Sequence, residues 1–93
     1  MNHFYNIMTD YVKVNIDYDT TLRKVVILNS SVNVDKKHKI NINVANLIKI
    51  SNVDELVYDT SDFECIKIYL HNTTVIKINK NGDIKLWKTT SKI

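Results

Sequence analysis

Apolar and polar residues alternate with period two over much of this chain, the mark of strands buried on one face. From Tyr11 to Tyr18, the residues Val12, Val14, Ile16 and Tyr18 fall on one side and Tyr11, Lys13, Asn15 and Asp17 on the other. Asp19, Thr20 and Thr21 read as a turn. Leu22 to Asn29 is rich in β-branched residues, and its unbroken run Val25 to Leu28 predicts a strand buried on both faces. Ser30 and Ser31 interrupt that run, and Val32 and Val34 resume the alternation. After a turn at Asp35 to His38, Lys39 to Val44 alternates again, with Ile40, Ile42 and Val44 predicted to face inward.

The period blurs from Ala45 to Tyr58. Val44, Leu47 and Ile48 have helical spacing, whereas Ile48 and Ile50 have strand spacing. Ser51 and Asp54 resemble a capping box with Asp in the acceptor position, and Val53, Leu56 and Val57 would share one face of a two-turn helix. Alternation returns at Phe63 to Leu70, with Ile66, Ile68 and Leu70 on one face, then at Thr74 to Asn79 and at Asp83 to about Lys88. Short strands joined by tight polar turns favour antiparallel pairing over βαβ units. The fold class expected is mainly β, with α+β as the variant. It is a compact antiparallel sheet of five to six strands, with C-terminal hairpins and one short helix near residues 51–58. Residues 1–93 are expected to form a single domain, with 1–10 an arm or short helix and 89–93 a frayed tail.

One turn is specified closely. Gly82 is the only glycine and follows Asn81, between two strand-like runs, which is a strong hairpin signal. A two-residue loop would set Ile78 against Lys85, so every inward residue would face an outward one. A three-residue loop, Lys80 to Gly82, sets Ile78 against Ile84 and Ile76 against Leu86. The second arrangement is expected, with a type I turn starting at Asn79 and Gly82 in the left-handed region as a bulge. On the outer face it pairs Lys77 with Lys85 and Val75 with Trp87. If residues 71–73 form a similar loop, Lys67 joins the lysine row and Tyr69 the aromatic one. Like charges in opposed positions destabilise a sheet, so the row needs nearby acids, a bound anion or an acidic partner.

Composition narrows the function. Isoleucine (13), asparagine (12) and lysine (12) dominate the 93 residues, while glycine, alanine and arginine occur once each and proline is absent. Their codons imply a very AT-rich gene, as in low-GC bacteria, their phages and certain large viruses. The glycine-rich loops that phosphate cradles require are missing. The single cysteine, Cys65, excludes an internal disulfide, and the first residues lack the basic and apolar regions of a signal peptide. No apolar run approaches the ~20 residues of a membrane helix, so the cytoplasm, that of a host cell if the protein is viral, is the expected location. Net charge is +3 but uneven: residues 51–64 carry five acids and no base, between two basic parts. A solvated connection that balances lysines elsewhere is the simpler reading of that stretch, and a docking surface the sharper one.

No catalytic, metal or cofactor site is expected. His3, His38, His71 and Cys65 lack ligand spacing. Cys65 reads as a buried structural thiol, and no serine sits in a glycine-flanked elbow. The expected partner is a protein, contacted through Lys67, Tyr69, Lys77, Lys85 and Trp87, with Lys36, Lys37 and Lys39 as an anion-contact loop. A phage or viral accessory protein that binds and inhibits a host factor, such as a CRISPR or other defence complex, fits the size and coding bias. The alternatives are a single-strand nucleic-acid binder using the same lysine and aromatic face and a virion protein that self-associates through strand edges.

Overall fold

The computed structural model of the chain describes residues 1–35, 37, 38, 40–45, 47–71 and 74–88. Among them are nine strands: β1 (Asn2–Met8), β2 (Val12–Asp19), β3 (Lys24–Asp35), β4 (Ile40–Ala45), β5 (Ile48–Ile50), β6 (Leu56–Asp59), β7 (Cys65–Leu70), β8 (Thr74–Asn79) and β9 (Ile84–Lys88). They form two antiparallel meanders. The first sheet runs β1-β2-β3-β4, with β5 also paired to β3; the second runs β6-β7-β8-β9. The mainly β, antiparallel expectation holds, with more strands than the five to six predicted and two sheets in place of one.

The inner faces meet in one core. Val12, Val14, Ile16, Tyr18, Val25 and Ile27 come from the first sheet, and Ile66, Ile68, Leu70, Ile76 and Ile78 from the second. Each fully buried isoleucine contributes about 1.5–3 kcal/mol relative to exposure. The alternation of Tyr11 to Tyr18 is realised, with Val12, Val14, Ile16 and Tyr18 all buried.

Bulges decide what the first sheet buries. Pairing of β2 with β3 jumps from Asn15 opposite Asn29 to Ile16 opposite Ile27, so Leu28 is an extra residue. An extra residue in a period-two pattern flips the strand's faces. Val25 and Ile27 point inward before it, and Ser30 and Val32 after it, all four buried. The predicted burial of Val25 to Leu28 on both faces is therefore wrong: Val26 is half-buried and Leu28 exposed. Ile40 and Ile42, expected inside, are 49% and 50% exposed. They pair with Asp35 and Val32 at the far end of the 12-residue β3, which outruns the 6-residue strands facing it. The side chain of Val44 lies outside the described residues.

The short helix near residues 51–58 does not form. Val53 is instead a buried plug between the sheets: its N–H donates to the Arg23 carbonyl (2.8 Å) and its carbonyl accepts from the Tyr18 hydroxyl (2.8 Å). Those backbone groups are therefore committed to the sheets rather than to a helical ladder. Asn52, at φ 62°, adopts the left-handed conformation that asparagine tolerates. Leu56 and Val57 then alternate as β6, the first packed on the core and the second exposed. Residues 2–8, where an arm or short helix is expected, form β1 against β2. Only Ile7 is fully buried there, which left little alternation to read. The tail at 89–93 lies outside the described residues.

Candidate functional site

The β8–β9 turn sets the geometry of the outer face. Gly82 has φ 90° and donates its N–H to the Asn79 carbonyl (3.0 Å), while the Asn79 N–H donates to the Asp83 carbonyl (2.9 Å). This is a three-residue loop closed by a glycine bulge, as the sequence predicts. Asn81 Oδ1 accepts from the Asp83 N–H (3.1 Å) and steadies the loop. Ile78 faces Ile84 and Ile76 faces Leu86. Across β7 and β8, Lys67 faces Lys77 and Tyr69 faces Val75. The five predicted contact residues Lys67, Tyr69, Lys77, Lys85 and Trp87 thus share one sheet face in two adjacent rows.

The charged row is balanced from one end only. Its order across β6 to β9 is Asp59, Lys67, Lys77, Lys85. The Asp59 carboxyl is held below the usual range by hydrogen bonds from Ser61, with a smaller contribution from Lys67. The Asp62 carboxyl is lowered first by the Glu64 N–H and the Cys65 thiol, and then by Lys67 and Lys77. Acids from the 59–64 turn therefore answer Lys67 and Lys77, both half-buried. Lys85 is exposed at the opposite end, and no ion pair reaches it among the described residues.

The apolar row runs Val57, Tyr69, Val75, Trp87. Val75 is 1% exposed although it is outside the shared core, and it lies between Tyr69 and Trp87 in the row. Trp87 is 42% exposed. Leu86, on the inner face opposite fully buried Ile76, is itself 48% exposed. The cause is the position of β9 at the sheet's edge, beyond cover from the first sheet. Beneath it opens a cleft of about 620 Å³ between β5 and β9, lined by Lys49, Ile50, Thr74, Leu86, Trp87 and Lys88 among others.

Sequence reasoning missed Leu86, Lys88 and Lys49 as surface residues. The order of strands in a meander, which puts the last strand at an edge, was the signal for the first two. Lys49 gave no signal, because its strand is only three residues long.

The remaining candidates lie elsewhere. Lys37 belongs to the β3–β4 turn, where Asp35 accepts from the N–H groups of Lys37 and His38 and meets His38 Nδ1 at 2.7 Å. Lys36 and Lys39 lie outside the described residues. Burial, reinforced by Asp62, pushes the Cys65 thiol up. Among the described residues no group of three or more His, Cys, Asp or Glu is placed to hold a metal ion, and no helix is long and apolar enough to cross a membrane. Comparison with family models, with curated proteins and with solved structures returns no match.

Proposed function

We propose that this chain is a small non-enzymatic module that binds a protein partner through the β9 side of its second sheet. The observation that carries this reading is the one-sided balance of the outer face. Lys67 and Lys77 are answered by acids of the fold, whereas Lys85 stands exposed beside half-exposed Trp87 and Leu86. Tryptophan is a favoured interface anchor, and an exposed cation beside it selects for complementary charge on the partner. The acids along the lysine row weigh against a phosphate backbone lying there, which lowers the nucleic-acid reading. The burial of Cys65, the one cysteine, fits a structural thiol and a non-enzymatic role. The biological setting proposed is the one the coding bias suggests: a phage or viral accessory protein that inhibits a host factor, such as a CRISPR or other defence complex.

The test compares immobilised wild type, Lys85→Ala/Trp87→Ala and Phe4→Ala/Leu28→Ala in extracts of cells that carry the gene. The last variant alters exposed apolar residues of the first sheet. A protein retained by wild type and by the Phe4/Leu28 variant, but lost from the Lys85/Trp87 variant, is the expected result. Equal retention by all three contradicts the reading. So does tight binding of a labelled oligothymidylate whose log K falls steeply with log salt.

A further inference from the structure

We infer that β9 receives an extended acidic segment of the partner as an added antiparallel strand. The inference rests on the proposed use of the β9 side and adds the partner's chemistry and mode of docking.

The backbone supplies the first argument. The Asn79 N–H to Asp83 carbonyl bond fixes which pairs along β8 and β9 are hydrogen-bonded. Bonded and non-bonded pairs alternate in an antiparallel ladder. The pairs Lys77/Lys85 and Val75/Trp87 are therefore bonded, and Ile78/Ile84, Ile76/Leu86 and Thr74/Lys88 are not. The N–H and C=O groups of Ile84, Leu86 and Lys88 point away from β8, along the outer edge of the sheet. Among the described residues β9 has no second neighbour in its sheet. Such an edge is a template for strand addition.

Side chains supply the second argument. A strand beside β9 would place one row of residues over Leu86 and the cleft, and the other row beside Lys85 and Trp87. Lysines are the usual guard of a free edge, but here they accompany exposed Leu86 and Trp87 rather than replacing apolar residues. β9 itself carries no acid, and Lys49 stands across the cleft from Lys88. A second copy pairing along this edge would bring four lysines together, two from each five-residue strand. An acidic strand meets the same cations with opposite charge. The complementary order, read from opposite Lys88 to opposite Ile84, is acidic, any residue, apolar, acidic, apolar.

The probe is a fluorescein-labelled ten-residue peptide with a central Glu-Thr-Val-Glu-Val, compared with its Lys-Thr-Val-Lys-Val counterpart by anisotropy. Wild type should bind the glutamate peptide and not the lysine peptide. Leu86→Pro removes an outward N–H, a place where an edge strand accepts proline, and should weaken binding about tenfold or more, the scale of one or two lost hydrogen bonds. Leu86→Ala keeps the N–H and should weaken it less. Lys85→Glu/Lys88→Glu should invert the preference between peptides, and it decides the matter if Leu86→Pro fails to fold. Equal binding of both peptides, binding of neither, or an unaffected, folded Leu86→Pro overturns strand addition. A concentration-dependent dimer in sedimentation overturns it in favour of a second copy. If the peptides fail while Lys85→Ala/Trp87→Ala still loses its partner from extracts, strand addition falls and the contact face stands. If neither effect appears, both fall.

Discussion

The two open sides of this sandwich are treated in opposite ways. Where β1 approaches β6, the Tyr5 and Tyr58 rings meet edge to face with centroids 6.2 Å apart. Where β5 approaches β9, a cleft remains and Leu86 is 48% exposed. The ends between these sides are fastened as well. At one, Tyr11 packs on Phe63 and lies under the Lys80 ammonium, which pairs with Glu64 at 2.7 Å. At the other, Asp54 pairs with Arg23 and approaches His71 at 3.8 Å, joining the turns of both sheets. The sheets thus have little need of the β9 side for cohesion. Among the described residues the β9 side keeps Leu86 and Trp87 partly uncovered, the kind of apolar surface that a partner would cover.

The largest expected effect breaks the comparison at adjacent positions. Ile76 and Leu86 face each other across β8 and β9, but one is in the core and the other is half exposed. Ile76→Ala should cost about 2–5 kcal/mol, and Leu86→Ala about 0.5 kcal/mol or less, by urea denaturation. Similar losses would mean that the β9 side is as closed as the β1 side. Gly82→Ala comes next. Holding alanine at the φ of 90° found for Gly82 should cost about 1–2 kcal/mol and broaden the amide signals of β9 before those of β1. A neutral result would mean that the bulged turn does not set the β9 register.

Ser30→Ala should act in the opposite direction. The bulge at Leu28 turns Ser30 inward, where it is fully buried and its Oγ has no hydrogen-bond partner among the described residues. Removing the stranded hydroxyl should stabilise the fold by about 1 kcal/mol, read as a higher urea midpoint, without altering partner binding. Destabilisation instead would show that the hydroxyl is satisfied.

The smallest effect is electrostatic and concerns the fastened end. The Asp54 carboxyl is held below its ordinary value chiefly by the hydrogen bond from Arg23. A lowered folded-state pKa stabilises fully above the unfolded value, about 4, and that contribution is lost as pH falls through the folded value. Stability should therefore decline below about pH 4. Asp54→Asn should make the decline shallower but not flat, because Asp35, Asp59 and Asp62 are lowered too. Identical pH profiles for the two proteins would remove Asp54 from the fastening.

Strands β2, β7, β8 and β9 were legible from their side chains and β3, β4 and β6 were not, for physical reasons. β7, β8 and β9 pair without a register shift, so the isoleucine alternation and one glycine were enough to align their rows. β3 shifts register against both β2 and β4, and each shift reverses the link between sequence parity and burial. The linker misled differently. Val53, Leu56 and Val57 have helical spacing, yet Val53 is buried by long-range bonds to Tyr18 and Arg23 that no local pattern encodes. At the candidate site, the rows were readable, but the sheet edge that exposes Leu86 and Trp87 belongs to tertiary arrangement.

Amide hydrogen exchange at β9 tests the central claim most directly. In the free protein, the Lys85 and Trp87 amides, bonded to β8, should exchange slowly, and the outward Leu86 and Lys88 amides rapidly. Adding the Glu-Thr-Val-Glu-Val peptide should slow Leu86 and Lys88 selectively and leave β1 unchanged. Unchanged exchange at Leu86 and Lys88 under saturating peptide, or equal slowing along β1, would contradict the account.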